Sequence, residues 1–113
     1  MSTRATIRME GMEHCKVYKH SDGYPEVMLE WLEQFNKAFT EKRGECACAE
    51  QKIAQLLRHS VIKFPIKTKD NYQCYTGDNE FLDWAIVEYD EDYNADYEYT
   101  LKKDGSVEVM GKW

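Results

Sequence analysis

The stretch Lys19-His20-Ser21-Asp22-Gly23-Tyr24-Pro25 gathers side chains suited to holding an anion. It runs into an apolar stretch of helical period, and the free N–H groups and dipole at a helix start favour negative charge. A glycine lets a ligand approach the backbone, and Tyr24 offers a surface for stacking. With Arg4 and Arg8 from the first strand, if it pairs with the second, the residues Arg4, Arg8, Lys19, His20, Asp22, Gly23 and Tyr24 make a candidate site for a nucleotide or phosphorylated small molecule. A structural reading competes with it. Asp-Gly forms a tight turn, Pro25 opens the helix, and the basic residues coat a solvated sheet face. No Walker or Rossmann spacing accompanies the turn.

A second kind of chemistry lies further along. From Asp70 to Leu101 the chain has ten acids, six of its eight tyrosines and no lysine, arginine or histidine. Net charge is +3 over residues 1–69, −10 over 70–101 and +1 over 102–113. Such segregation repels nucleic acid and attracts basic protein surfaces. Carboxylates at strand spacing imitate a phosphate backbone, and tyrosine is favoured at interfaces. The candidate contact set is Glu88, Asp90, Glu91, Asp92, Tyr93, Asp96, Tyr97 and Glu98. Against it stands the plain reading that acid-rich loops keep a small protein soluble and that tyrosine is a good strand former.

Metal and nucleophile chemistry are less well served. Cys46-x-Cys48, His14-Cys15 and Cys74 are the thiolate and imidazole groups zinc prefers, but the spacing is not that of a ribbon or finger. Two cysteines two apart on a helix point in different directions. Free thiols are expected, with no metal and no cofactor. His14, His20 and His59 lack a serine or cysteine motif that would mark a nucleophile and base. A non-enzymatic binding protein is therefore expected; the alternative of an enzyme needs a pocket that gathers His20 and Asp22 with another polar group.

The elements that must position these residues follow from periodicity. Residues 3–9 alternate, with Ala5, Ile7 and Met9 on one side and Arg4, Thr6 and Arg8 on the other, which predicts a half-buried strand with a basic outer face. Cys15–His20 alternates again and predicts a hairpin partner. Val27, Met28, Trp31, Leu32, Phe35, Ala38 and Phe39 recur at helical spacing between Pro25 and Gly44. A second helix carries Ala49, Ile53, Leu56 and Leu57 and ends before Phe64-Pro65. Strands are then expected at Tyr72–Thr76, Leu82–Tyr89, Tyr97–Lys102 and Ser106–Met110, with Asp90–Ala95 looping out. In the last hairpin a three-residue loop, Lys103-Asp104-Gly105, sets Leu101 opposite Val107 and Tyr99 opposite Val109, which keeps apolar with apolar. The expected fold is a single α+β domain over residues 1–113. It has one antiparallel sheet of about five strands, two α-helices on one face and the order ββααβββ.

At 113 residues the chain suits one modest core, and 42% hydrophobic content is too rich for disorder. No apolar run is long enough to cross a membrane, and the start lacks a secretory pattern, so a cytoplasmic location with reduced cysteines is expected.

Two segments, Ser2-Thr3-Arg4-Ala5-Thr6-Ile7 and Val17-Tyr18-Lys19-His20-Ser21-Asp22-Gly23-Tyr24-Pro25, resemble a family of small uncharacterised proteins of phages, archaea and bacteria. That family opens Ser-Thr-Arg-Ala-Thr and carries a His-x-Asp-Gly-Tyr-Pro segment. The resemblance implies that Arg4, His20, Asp22, Gly23, Tyr24 and Pro25 belong to one site or one structural corner. It also implies an accessory protein of a phage or mobile element, such as an anti-CRISPR-like inhibitor of host defence. The expected partner is a protein with a basic surface, of the kind nucleic-acid-binding host proteins present, with no direct contact to nucleic acid or membrane.

Overall fold

The computed structural model describes residues 3–20, 22–44, 48–61, 65–67, 73–75, 84–91 and 93–111. Along the chain these form β1 (Ala5–Met9), β2 (Cys15–Lys19), α1 (Pro25–Arg43), α2 (Ala49–Val61), β3 (Pro65–Lys67), β4 (Gln73–Tyr75), β5 (Trp84–Glu88), β6 (Tyr97–Leu101) and β7 (Val107–Gly111). Five strands make one sheet in the order β5-β2-β1-β6-β7, and β3 pairs with β4 in a separate antiparallel ribbon. The predicted strand ends at Tyr72, Thr76 and Leu82 lie outside the described residues.

The α+β class holds, but the sheet is mixed rather than antiparallel. β1 runs parallel to β6, with Ala5 opposite Tyr97, Ile7 opposite Tyr99 and Met9 opposite Leu101. The expectation assumed that strands near in sequence pair as hairpins. Here the first strand is central, so a late strand joins it from the far side. β5 is antiparallel to β2 and β2 to β1, so β5 and β6 point the same way. Residues 89–96 must therefore carry the chain past β2 and β1 and back along the strand direction. Three interstrand steps of about 4.8 Å and a four-residue rise of about 13 Å require roughly 20 Å. The nine Cα–Cα steps from Glu88 to Tyr97 reach at most about 30 Å, which leaves slack for the turns at Tyr89–Asp90 and Tyr93–Asn94. The stretch expected to loop out is irregular in its described residues, and it runs as a strap over one face of the sheet.

The other face meets the helices. Ala5, Ile7, Met9, Val17, Tyr99 and Leu101 of the sheet share one core with Met28, Trp31, Leu32, Phe35 and Phe39 of α1 and Ile53 and Leu56 of α2. Pro25 begins α1, and Gly44, at φ 69°, ends it with its N–H donated to Thr40 O. Ala38, placed on the apolar stripe by periodicity, is exposed, whereas Asn36 is buried. Asn36 Nδ2 donates to Lys102 O at 2.9 Å and Ser106 O at 2.8 Å and so ties α1 to the β6–β7 loop. Burial lowers the pKa of the neighbouring Lys52 ammonium, which lies 3.4 Å from Lys102 O. The β6–β7 hairpin has the expected three-residue loop, with Leu101 opposite Val107, Tyr99 opposite Val109 and Gly105 left-handed at φ 98°. No described helix is long and apolar enough to cross a membrane.

Candidate functional site

Of the described residues in the His20–Pro25 segment, Gly23 alone is buried, against the start of β1. The Gly23 N–H donates to Thr3 O at 2.9 Å, and its own carbonyl accepts the Tyr99 hydroxyl at 2.6 Å. A Cβ at Gly23 would lie 2.7 Å from Ala5 Cβ and 2.9 Å from Thr3 O, so only glycine lets this corner close on the start of β1. Burial first, then Tyr97 and Glu26, raise the Tyr99 phenol far above its ordinary pKa, and its proton stays in the bond to Gly23. Asp22 adopts the left-handed region at φ 56° to make the turn. The Gly23 N–H is thus already donated within the protein.

The basic residues assigned to that site do not converge. Lys19 is fully buried on the helix-covered face, with its ammonium 5.3 Å from the Trp84 ring centroid. Arg4 and Arg8 belong to the opposite face by alternation. Four residues along a strand also separate them by about 13 Å. His20 pairs locally, with Nδ1 2.8 Å from the Tyr18 hydroxyl. The corner closes on Thr3 and Ala5, whereas Arg4 bonds Asp96 and Arg8 bonds Tyr89.

Arg8 belongs instead to a polar cluster under the strap. Glu98 stands beside β1 on the open face and gathers three donors at Oε2: Thr6 Oγ1 at 3.0 Å, Arg8 Nε at 3.1 Å and Lys16 Nζ at 3.7 Å. The Arg8 Nε contact is an ion pair without hydrogen-bond alignment. Arg8 Nη1 donates to the Tyr89 hydroxyl at 3.1 Å, and its guanidinium carbon sits 4.3 Å from that ring's centroid. Tyr93 packs on Tyr18 with centroids 5.8 Å apart. At the far end Asp96 accepts the Arg4 N–H at 3.1 Å and returns its own N–H to Arg4 O at 2.9 Å. The strap is therefore fastened to β1 at Arg8, to β2 at Tyr18 and to β1 again at Arg4.

This covering corrects the expected solvated basic face. Thr6 is 1% exposed and the Lys16 side chain 2%, because Glu98 and the strap lie over them. It also divides the acidic contact set. Glu98 is half-buried and committed to Arg8 and Lys16, and Tyr97 packs against the helix-side core. Glu88, Asp90, Glu91, Tyr93 and Asp96 are exposed, and Asp92 lies outside the described residues. Tyr93 and Asn94 take left-handed angles, φ 55° and 52°, where the strap turns. Thr6, Lys16, Tyr18 and Tyr89 were missed by sequence reasoning, since their meeting depends on the parallel β1–β6 register.

Cys15 and Cys48 are free thiols, Cys48 and His14 are exposed, and no three metal-ligating side chains gather among the described residues. Cys46 and the side chain of Cys74 fall outside them. Comparison with protein-family models, curated proteins and solved structures finds no match to this chain.

Proposed function

We propose that this chain is a small non-enzymatic binding protein whose acidic strap docks on a basic surface of another protein. The observation that carries this reading is the division of labour within the acids. Glu98 neutralises the sheet's own cations, while the strap, anchored through Tyr93 on Tyr18, leaves Asp90 and Glu91 in solvent. A preordered acidic segment with an aromatic anchor loses little conformational entropy on docking. Charge of this sign steers association with surfaces built to meet phosphate. The concrete form of the reading is a phage or mobile-element accessory protein that occludes a host nucleic-acid-binding protein in the cytoplasm, in the manner of anti-CRISPR proteins. The N-terminal resemblance supports that form.

The test is charge reversal on a fold that survives it. The Asp90→Lys/Glu91→Lys variant should keep the parent's melting behaviour and lose binding to the partner, with the parent complex weakening as salt rises. Equal binding by both proteins would reject the proposal.

A further inference from the structure

β7 forms one edge of the five-stranded sheet, and among the described residues no strand pairs with its outer side. Natural edges are blunted by lysine, proline, bulges or shortness. β7 has no lysine or proline, and its ladder with β6 runs unbroken from Val107 to Gly111. Its one charge, Glu108, lies 3.5 Å from Lys102 within the same chain. Val109 is 40% exposed and Met110 67%. The edge is apolar, regular and internally neutralised.

Hydrogen-bond alternation states which residues face outward. Lys102 N–H donates to Ser106 O at 2.9 Å, so this pair is of the hydrogen-bonded kind. In an antiparallel ladder such pairs alternate, so Thr100–Glu108 and Glu98–Met110 are also of this kind. The N–H and C=O groups of Val107, Val109 and Gly111 therefore point away from β6. Two copies of this edge fit each other in one register better than in its neighbours. A two-fold axis at Val109 sets Val109 against its copy, Val107 against Gly111 and Glu108 against Met110. Every outward N–H and C=O of the three residues then finds a partner. An axis at Glu108 places like charges opposite one another, which is unfavourable. An axis at Met110 leaves Val107 facing residue 113, beyond the strand.

We propose that the protein self-associates through β7, two copies pairing antiparallel about Val109 into a continuous ten-stranded sheet. The axis stands normal to the sheet, so both open faces lie on one side. The dimer therefore presents two acidic straps in the same direction, an arrangement that favours a partner with two basic sites. The pairing itself does not depend on the strap's docking role.

The experiment is sedimentation velocity over a concentration series on the full chain and on Val109→Pro. Because the Val109 N–H faces outward, proline there removes a donor between copies and none within the ladder. The unsubstituted chain should sediment at twice the 13.4 kDa chain mass, and Val109→Pro at the single-chain mass with unchanged circular dichroism. A monomeric unsubstituted chain overturns the proposal, as does a folded Val109→Pro that remains dimeric. If Val109→Pro does not fold, oxidation of Val109→Cys decides. Facing hydrogen-bonded residues sit about 5.5 Å apart at Cα, within disulfide reach. Val109→Cys should form a covalent dimer beyond any seen with the unsubstituted chain treated alike, and Glu108→Cys should not. The reverse pattern, or none, rejects the register.

Discussion

The His20–Pro25 corner and the Tyr89–Asp96 strap are both polar connections rich in turn formers, yet the fold uses them in opposite ways. The corner turns its backbone inward, donating the Gly23 N–H to Thr3 and accepting the Tyr99 hydroxyl. The strap turns side chains inward at Tyr89 and Tyr93 and leaves Asp90 and Glu91 in solvent. Composition alone does not separate the two. What separates them is where their main-chain groups are satisfied, and that follows from a long-range strand register.

The largest effect should come from filling the corner. Gly23→Ala forces a Cβ against Ala5 and the Thr3 carbonyl and should cost about 2–4 kcal/mol in a denaturant titration. A cost near zero would mean the corner is free to move and would reopen it as a ligand site. Next is Tyr99→Phe, which leaves the buried Gly23 carbonyl without its donor and should cost about 1–2 kcal/mol.

Within the acidic segment the comparison sharpens to single carboxylates. Glu98→Gln leaves Arg8 and the buried Lys16 without their anion and should lower stability by about 1–2 kcal/mol. Asp90→Asn and Glu91→Gln should each change it by less than about 0.5 kcal/mol. Equal effects would erase the distinction between inward and outward acids.

The smallest effect belongs to Glu10, a partly exposed carboxylate outside both regions. The Lys103 backbone N–H, at 2.7 Å, holds its pKa below the ordinary value, with Lys102 and Lys103 adding to that against desolvation. A depressed folded pKa gives stability that is present above the unfolded value and lost as pH falls through the folded one. Glu10→Gln should therefore slightly flatten the acid limb of the stability profile and leave neutral pH nearly unchanged.

Much of this arrangement was legible from local pattern. Apolar periodicity placed α1 from Pro25 to Gly44. The pairing of Leu101 with Val107 followed from keeping apolar residues opposed across the loop at Gly105. The structural reading of the Asp22-Gly23-Pro25 turn was also available from turn chemistry. The parallel β1–β6 pairing was not, because alternation marks a strand's faces and says nothing of its neighbour's direction. With that register hidden, the meeting of Glu98 with Arg8 and Lys16 was hidden too, and Arg8 was assigned to the wrong end of the sheet. Nothing local marks Asn36 and Lys52 as buried, because the Lys102 carbonyl that holds both lies 66 and 50 residues further along.

The most direct test of the central claim sets the two regions against each other in one measurement. Immobilised unsubstituted chain, Asp90→Lys/Glu91→Lys and His20→Ala, each shown to be folded, are exposed to extract of the native host, and retained proteins and nucleotides are identified by mass spectrometry. The account predicts that unsubstituted chain and His20→Ala retain the same basic protein, that the strap variant loses it, and that no nucleotide is enriched. Retention by the strap variant, or loss of a bound nucleotide with His20→Ala, would contradict it.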